Sequence, residues 1–436
     1  MEPITVIGGG FAGCEAAWQI ACRGGKVKLY EMKPRAFSPA HKSKQLCEPV
    51  CSNSFKAKRT ESAAGLLKAE MKLLGSLCVP CAEKTAVPAG GALAVDRDLY
   101  AALVSREIEN HPNIEVIREK LEDFPAGIVI VATGPLTAGE LAKKISEKCG
   151  KALSFYDAAA PIVSAESIDR AFAFCQSRYD RGGEEDYLNC PLNKAEYEAF
   201  HDALVHAEGA VVHDFDVYEG CMPIEKLAKR GQDAIRFGPM KPVGLTDPKT
   251  GHRPWAVLQL RKENSMGTMY NLVGFQTNLK FGEQKRVFSM IPALHDAEFR
   301  RYGVMHRNSF IHSPGLLEPT LNLKNEPRIF FAGQITGVEG YMESASSGIL
   351  AGINALAYAQ GKAGLVLPGT TMMGALTRYI TDESVKDFQP MGANFGIVDP
   401  LAQKIRDKRE RYAALAARSL ETLSQIKKDT SEAGCL

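Results

Sequence analysis

An α/β fold of the doubly wound type, interrupted by a smaller α+β insertion, is what three stretches of this 436-residue chain predict. The first is an apolar run, Ile4-Thr5-Val6-Ile7, that passes directly into Gly8-Gly9-Gly10-Phe11-Ala12-Gly13 and then into the alanine-rich Cys14 to Ala21. The second is Gly127 to Val131, broken by Ala132-Thr133-Gly134, and the third is Arg328 to Phe331, followed by Ala332-Gly333-Gln334 and a run of small residues. Runs this short and β-branched read as buried strands, while the small residues after the first turn recur at helical spacing. Similar units at both ends, with a different composition between, divide the chain into a first part at 1–157, an insertion at 158–275 and a second part at 276–436 that ends in a helix.

Gly8, Gly10 and Gly13 have the G-x-G-x-x-G spacing. In that pattern one glycine makes the tight turn, one lets the backbone approach a pyrophosphate, and one allows close strand-helix packing. Amides at the helix start, Phe11 and Ala12 among them, meet the phosphates with the positive end of the helix dipole. A second strand, Lys26 to Tyr30, ends at Glu31, eighteen residues after Gly13. A carboxylate there accepts ribose hydroxyls and repels a 2′-phosphate, so FAD or NAD fits better than NADP. In doubly wound flavoproteins a turn such as Ala132-Thr133-Gly134 lies beside the cofactor, which favours FAD and a Rossmann-type FAD-binding domain. Gly333 and Gln334, ahead of a helix running to about Gln360, are expected at the flavin edge or the ribityl phosphate.

The remaining elements follow in order. Lys33 to Arg59 is basic and carries Cys51-Ser52-Asn53-Ser54, which reads as a loop or helix start because short polar side chains cap orphan amides. With Lys56, Lys58 and Arg59 close by, the Cys51 thiol is expected to be lowered toward thiolate. A helix follows from about Ser62 to Leu77. Cys78-Val79-Pro80-Cys81 lacks the second pair a zinc site needs and is not expected to open a thioredoxin-like helix, so no metal ligand is assigned. A helix from Asp98 to about Glu109 and a strand at Ile114 to Ile117 complete the first part. In the insertion, Gly220-Cys221-Met222-Pro223 places Cys221 near a helix start, a second thiolate-favouring position. Trp255 to Arg261 and Met269 to Phe275 alternate like paired strands. Phe281 to Arg301 is expected to be mainly helical, and Leu401 to Lys428 reads as a charged amphipathic helix with a packing role.

Composition limits the function classes. Hydrophobic residues make up 45% and charged residues 24%, as in a globular protein with a large core. A net charge of +2 gives no general attraction to nucleic acid. Any RNA-binding surface must then be local, and Lys280, Lys285, Arg286, Arg300 and Arg301 are the candidate patch. Eleven cysteines without a paired framework, and no leader-like N-terminus, point to a reducing, cytoplasmic setting. No run approaches a membrane span.

Cys51-Ser-Asn-Ser, Glu219-Gly-Cys221-Met-Pro-Ile-Glu225, Gly274-Phe-Gln-Thr-Asn-Leu-Lys280, Gly303-Val-Met-His306-Arg307-Asn308 and Phe331-Ala-Gly-Gln334 together resemble the bacterial folate- and FAD-dependent tRNA (uracil-5-)-methyltransferases, over nearly the whole chain. The glycine motif and the two small-residue turns are shared with related, longer flavoproteins that make carboxymethylaminomethyluridine in tRNA. The two cysteine motifs separate the groups. The resemblance implies methylation of the T-loop uridine at position 54 to ribothymidine. The carbon would come from 5,10-methylenetetrahydrofolate and the reducing power from NADH or NADPH through FAD. It also implies that Cys221 adds to carbon 6 of uracil while Cys51, near the flavin, is the base or guards the one-carbon unit, with the order of the two open. His306 and Arg307 are candidates for the pterin and the glutamate tail, and Lys280 and Arg286 for RNA. Cys47, Cys78, Cys81 and Cys190 lie outside the family pattern.

The residue types suit that chemistry. Carbon 5 of uracil is a poor nucleophile until a thiolate adds at carbon 6, and its proton then needs a base. A carbon delivered at the methylene level must be reduced, which a flavin does. A flavin-dependent oxidoreductase using Cys51 and Cys221 as a redox pair, a tRNA-binding flavoprotein without turnover and the carboxymethylaminomethyluridine type are the alternatives.

Overall fold

The computed structural model describes residues 2–150, 152–180, 183, 185–210 and 222–432. Its centre is a five-stranded parallel sheet in the spatial order Ile329–Phe331, Val129–Val131, Ile4–Ile7, Val27–Tyr30, Ile114–Ile117. The three apolar runs that end in small-residue turns are therefore neighbours, and their turns open at one edge of the sheet. All of Ile4–Ile7, Val129–Val131 and Ile329–Phe331 are buried. That is why these strands read as continuous apolar runs rather than as alternating ones.

Helices Phe11–Cys22 and Tyr341–Ala359 lie against each other on this sheet. Their closeness explains the small residues: a Cβ on Gly348 would stand 2.2 Å from the Ala12 carbonyl oxygen, and one on Gly352 would stand 2.6 Å from that of Ala16. Glycine and alanine at matching helical spacing let the two backbones touch. The C-terminal helix, Lys408–Glu432, packs on helix Ala63–Leu73 through buried Leu415, Ala416 and Leu423. Ser419 Oγ donates to Glu70, whose carboxylate also accepts the Met372 and Met373 amides at 2.7 and 2.8 Å.

A second, six-stranded antiparallel sheet has the order Phe174–Cys175, Leu188–Leu192, Ala256–Lys262, Met269–Leu272, Ile162–Ser164, Phe299–Arg301. It has its own core, in which Phe200, Phe275 and Phe288 are buried. Helix Phe281–Phe288 and strand Phe299–Arg301 belong to this sheet and its core, although both fall beyond position 275. The segment expected to be helical to Arg301 stops being so at Phe288. A short 3-10 turn begins at Pro292, which cannot supply a helical N–H, and pairing with Ile162–Ser164 then draws the chain into a strand. Strands Leu153–Ala158 and Met305–Phe310 form a two-stranded antiparallel ribbon where the chain enters and leaves this second unit.

Cys51 lies in a loop, one of the two conformations its sequence allows, and the chain then forms strand Ser54–Ala57 of a small three-stranded sheet. One local expectation is corrected. At Cys78 a helix does open, Cys78–Lys84, because the buried Glu15 carboxylate accepts the Leu77 and Cys78 amides at 3.0 and 2.9 Å. The cap comes from 63 residues away in the chain, beyond the reach of local patterns. Cys78 and Cys81 are both buried, and burial pushes each thiol up to about 12. No described helix is long and apolar enough to cross a membrane.

Candidate functional site

Gly8 and Gly13 are held by close packing and Gly10 is not. Gly8 has φ +104°, and a Cβ there would stand 2.5 Å from the Ala132 carbonyl oxygen. At Gly13 an added Cβ would fall 1.7 Å from the Gly8 oxygen, so strand and helix could not approach. Gly10 is different, because a Cβ there would meet nothing within 4 Å. The open space lies at the start of helix Phe11–Cys22, which no side chain caps. A diphosphate fits this space, where the first amides of the helix, which no intrahelical bond uses, would receive it.

A cavity of about 320 Å³ extends from that point. Gly8, Gly9, Gly10, Phe11, Ala12, Glu31, Thr133, Gly134, Gly333 and Gln334 all line it, and Gly13 stands behind as a packing residue. Glu31 is buried and accepts the Gly9 and Lys33 amides, each at 2.9 Å. Its carboxylate is thereby fixed at the end of the second strand, where an adenosine ribose would be received. Gly333 has φ +87°, and its amide donates to Ser347 Oγ at 2.7 Å. Gln334 Nε2 reaches both oxygens of Glu339, at 2.9 and 2.8 Å. The Glu339 carboxyl is pushed up to about 8 by burial and then by the Asp157 carboxylate.

Tyr341 joins this cavity to Cys51. Its ring lines the cavity and stacks on Phe11, with centroids 4.7 Å apart. Its hydroxyl oxygen accepts the Cys51 and Ser52 amides at 2.7 and 3.2 Å, and lies 2.9 Å from Cys51 Sγ. With two N–H groups on the oxygen, the phenolic hydrogen is left for the sulfur.

The loop carrying Cys51 is held from the second sheet. Arg97 donates to the Pro49 and Val50 carbonyls while its Nε meets Glu263 at 2.6 Å, and Arg301 Nη2 donates to the Val50 carbonyl at 2.7 Å. Arg261 bonds Asn53 Oδ1 at 2.8 and 3.0 Å, and Asn53 Nδ2 returns a bond to the Lys262 carbonyl at 3.0 Å.

The expected lowering of the Cys51 thiol is not found. Burial, reinforced by Asp157, pushes it up to about 12, against the opposing pull of the Tyr341 hydroxyl and Arg97. The largest influences on it come from elsewhere than the lysines and arginine that follow it in sequence. Lys56 pairs with Glu343 at 2.7 Å, and Lys58 and Arg59 are exposed. Cys221 lies outside the described residues, three positions before helix Ile224–Ala228.

His306 and Arg307 are neighbours on one strand of the ribbon, so their side chains leave on opposite faces. His306 pairs across the ribbon with Asp157, and its Nε2 is buried without an acceptor or donor among the described residues. Burial and Arg301 lower its basicity. Arg307 is exposed.

The basic residues do not form the expected free patch. Lys280 pairs with Glu208, Arg286 with Glu283 at 2.6 Å and Arg300 with Glu298 at 3.1 Å. Arg301 turns inward beside the Cys51 loop, and Lys285 alone of the five stays exposed without an ion pair among the described residues. Tyr341, Arg97, Asp157 and Glu339 were not singled out by the sequence. Tyr341 reads there only as the first residue of a helix after glycine.

A family model described as Glucose inhibited division protein A matches residues 3–363. The Methylenetetrahydrofolate--tRNA-(uracil-5-)-methyltransferase TrmFO of Acetivibrio thermocellus is 59% identical over 430 residues, covering 98% of each chain. The chain belongs to the TrmFO family. The TrmFO of Lactiplantibacillus plantarum is 56% identical, again over 98% of each chain, and that of Geobacter sulfurreducens 54% over 96% of this chain and 98% of the other. Among solved structures, Aquifex aeolicus GidA superposes with a TM-score of 0.70 at 18% identity, covering 99% of this chain and 76% of that one. A second crystal form gives 0.68. These two neighbours carry the same doubly wound fold, and the TrmFO relatives supply the family.

Proposed function

We propose that this TrmFO-family chain methylates carbon 5 of uridine 54 in the T-loop of tRNA. 5,10-methylenetetrahydrofolate supplies the carbon, and NADH or NADPH supplies the electrons through FAD. The observation that carries the reading is the 2.9 Å contact between Cys51 Sγ and the hydroxyl of Tyr341, whose ring lines the dinucleotide cavity. A thiol this close to the cavity's lining supports the reading, because a simple reductase does not need one. The family membership supplies the substrate class.

Gly8 to Ala12 and Gly13 would hold the diphosphate of FAD, Glu31 its ribose, and Thr133, Gly134, Gly333 and Gln334 the flavin end. When bound, the flavin supplies the hydride that takes a methylene-level carbon to methyl. The Cys221 thiolate adds to carbon 6 of uracil, which makes carbon 5 nucleophilic toward the one-carbon unit. Cys51 then takes the carbon 5 proton or shields the one-carbon unit. Loss of that proton lets the bond from the one-carbon unit to the folate nitrogen break and tetrahydrofolate leave, and once the carbon stands at the methyl level the Cys221 sulfur leaves carbon 6. His306, beside Asp157, is the residue we assign to the pterin, and Arg307 to the glutamate tail. Lys280 and Arg286 can reach RNA phosphates only by exchanging Glu208 and Glu283 for them.

The test is incubation of purified protein with unmodified tRNA, labelled methylenetetrahydrofolate and NADH or NADPH, followed by nucleoside analysis. Ribothymidine at position 54 is expected. A flavin-loaded protein that leaves the uridine unmethylated overturns the reading.

A further inference from the structure

The end of the second sheet away from Cys51 carries a cavity of about 420 Å³ that the chemistry above does not use. Its walls are the turn Arg170–Phe172, the start of helix Lys194–Val205 and the segment 247–255. Phe172 is 52% exposed here. Trp255 lines the cavity half-buried, with the Arg236 guanidinium 3.8 Å and Lys194 Nζ 5.5 Å from its ring centroid, so cationic groups already gather on this aromatic side chain.

The charge around the cavity is positive toward solvent. Glu196 is committed to a capping box with Asn193, and Asp247 is buried and accepts the Lys249 amide at 2.9 Å. Lys249, His252 and Arg253 are exposed on the wall. Neither Arg253 nor His252 has a carboxylate within ion-pair distance among the described residues. Aromatic faces beside exposed cations are how unpaired RNA is received, by base stacking and phosphate contact. The volume lies in the range of about 300–1,000 Å³ in which small ligands are bound.

We infer that this cavity takes one unpaired nucleotide of the substrate RNA, its base against Phe172 and Trp255 and its phosphate at Lys249 and Arg253. The inference rests on the tRNA reading above. The nucleotide is not the one methylated. Strand Ala256–Lys262 runs from Trp255 to the Lys262 carbonyl that Asn53 holds, so the cavity is roughly 20 Å from the Cys51 loop at a strand rise of about 3.3 Å per residue. A chain of net charge +2, in which Lys280, Arg286 and Arg300 are already in ion pairs, draws its RNA affinity from such a local anchor.

Phe172→Ala and Arg253→Glu test it, since both side chains are exposed and neither belongs to the cofactor or cysteine machinery. Binding of unmodified tRNA is measured across salt concentrations, together with single-turnover methyl transfer at saturating tRNA. Phe172→Ala is expected to weaken binding roughly tenfold. Arg253→Glu should lower the log-log salt slope by about one. The saturated rate should stay as in wild type. In protein labelled with 5-fluorotryptophan the two tryptophans give two fluorine resonances, and that of Trp255, assigned with Trp255→Phe, should move on tRNA addition while that of Trp18 stays. Affinity, slope and the Trp255 signal all unchanged, with a wild type that binds and methylates tRNA, would overturn the site and leave the methyltransferase reading intact. A saturated rate that falls with affinity also overturns it, because it puts these residues at the reacting base. A wild type that binds no tRNA removes the reading and this site together.

Discussion

The hydroxyl of Tyr341 takes the backbone N–H groups of Cys51 and Ser52 and offers its own hydrogen to Cys51 Sγ, 2.9 Å away. A donor at that distance favours the thiolate over the thiol, so it opposes the burial and the Asp157 charge that push Cys51 up to about 12.

Tyr341→Phe should raise the Cys51 thiol further. Methyl transfer should fall by about tenfold or more near neutral pH, in the range found for a positioned proton-transfer group. The rate should recover partly as pH rises, because the remaining thiol then ionises. Flavin content should hold, since the ring that stacks on Phe11 is retained. A pH-rate profile identical to wild type would show that the hydroxyl does not act on the thiol.

The glycines should separate two kinds of failure. Gly10→Leu projects into open space, so the protein should fold but lose its yellow flavin absorbance. Gly13→Ala places a carbon against the Gly8 carbonyl, and overpacking of that kind costs about 1–3 kcal/mol. Denaturant unfolding and the absorbance spectrum, measured on both variants, check the distinction.

Burial pushes Glu70 up to about 7 where it receives Met372, Met373 and Ser419. The folded state therefore holds this proton more tightly than the unfolded chain. Its contribution is fully present below the ordinary carboxylate range and is lost as pH rises toward 7, up to about 3 kcal/mol at 1.36 kcal/mol per unit. Glu70→Gln should flatten that slope in urea unfolding between pH 4.5 and 7. An equally steep slope in the variant would place the titration elsewhere.

Position 54 substituted with 5-fluorouridine should trap a covalent RNA adduct, because fluorine at carbon 5 cannot leave as a proton. On denaturing gels the adduct should persist in Cys51→Ala and vanish in Cys221→Ala. The opposite pattern would exchange the two roles.

What the sequence disclosed was whatever depends on near neighbours. The turn Gly8 to Gly13, the acid at Glu31 and the turn at Thr133 and Gly134 are fixed by spacings of a few residues to a few tens, and they line one cavity. The Cys51 environment is set by partners far along the chain. Tyr341 lies 290 residues away and Arg301 lies 251 from its Val50 acceptor, so neighbouring Lys56, Lys58 and Arg59 gave the wrong electrostatic expectation. The basic residues at 280–301 misled for a related reason: an ion pair with Glu208 or an inward turn at Arg301 depends on tertiary packing that no local charge count contains.

The ribbon at 153–158 and 305–310 brings the two ends of the second unit side by side, with Ala158 opposite Met305. Opposed residues in such a pair sit about 5 Å apart, so a tight hairpin could bridge 158 and 305 and leave the parallel sheet's connectivity whole. In chain terms the second unit is a removable cassette. In bonding terms it is not, because Arg261, Lys262, Glu263 and Arg301 travel with it and are the groups that hold the Cys51 loop and its Arg97 clamp. An excised core would keep its glycine cradle and lose the frame of its thiol, which makes the cassette a structural part of the half that it interrupts.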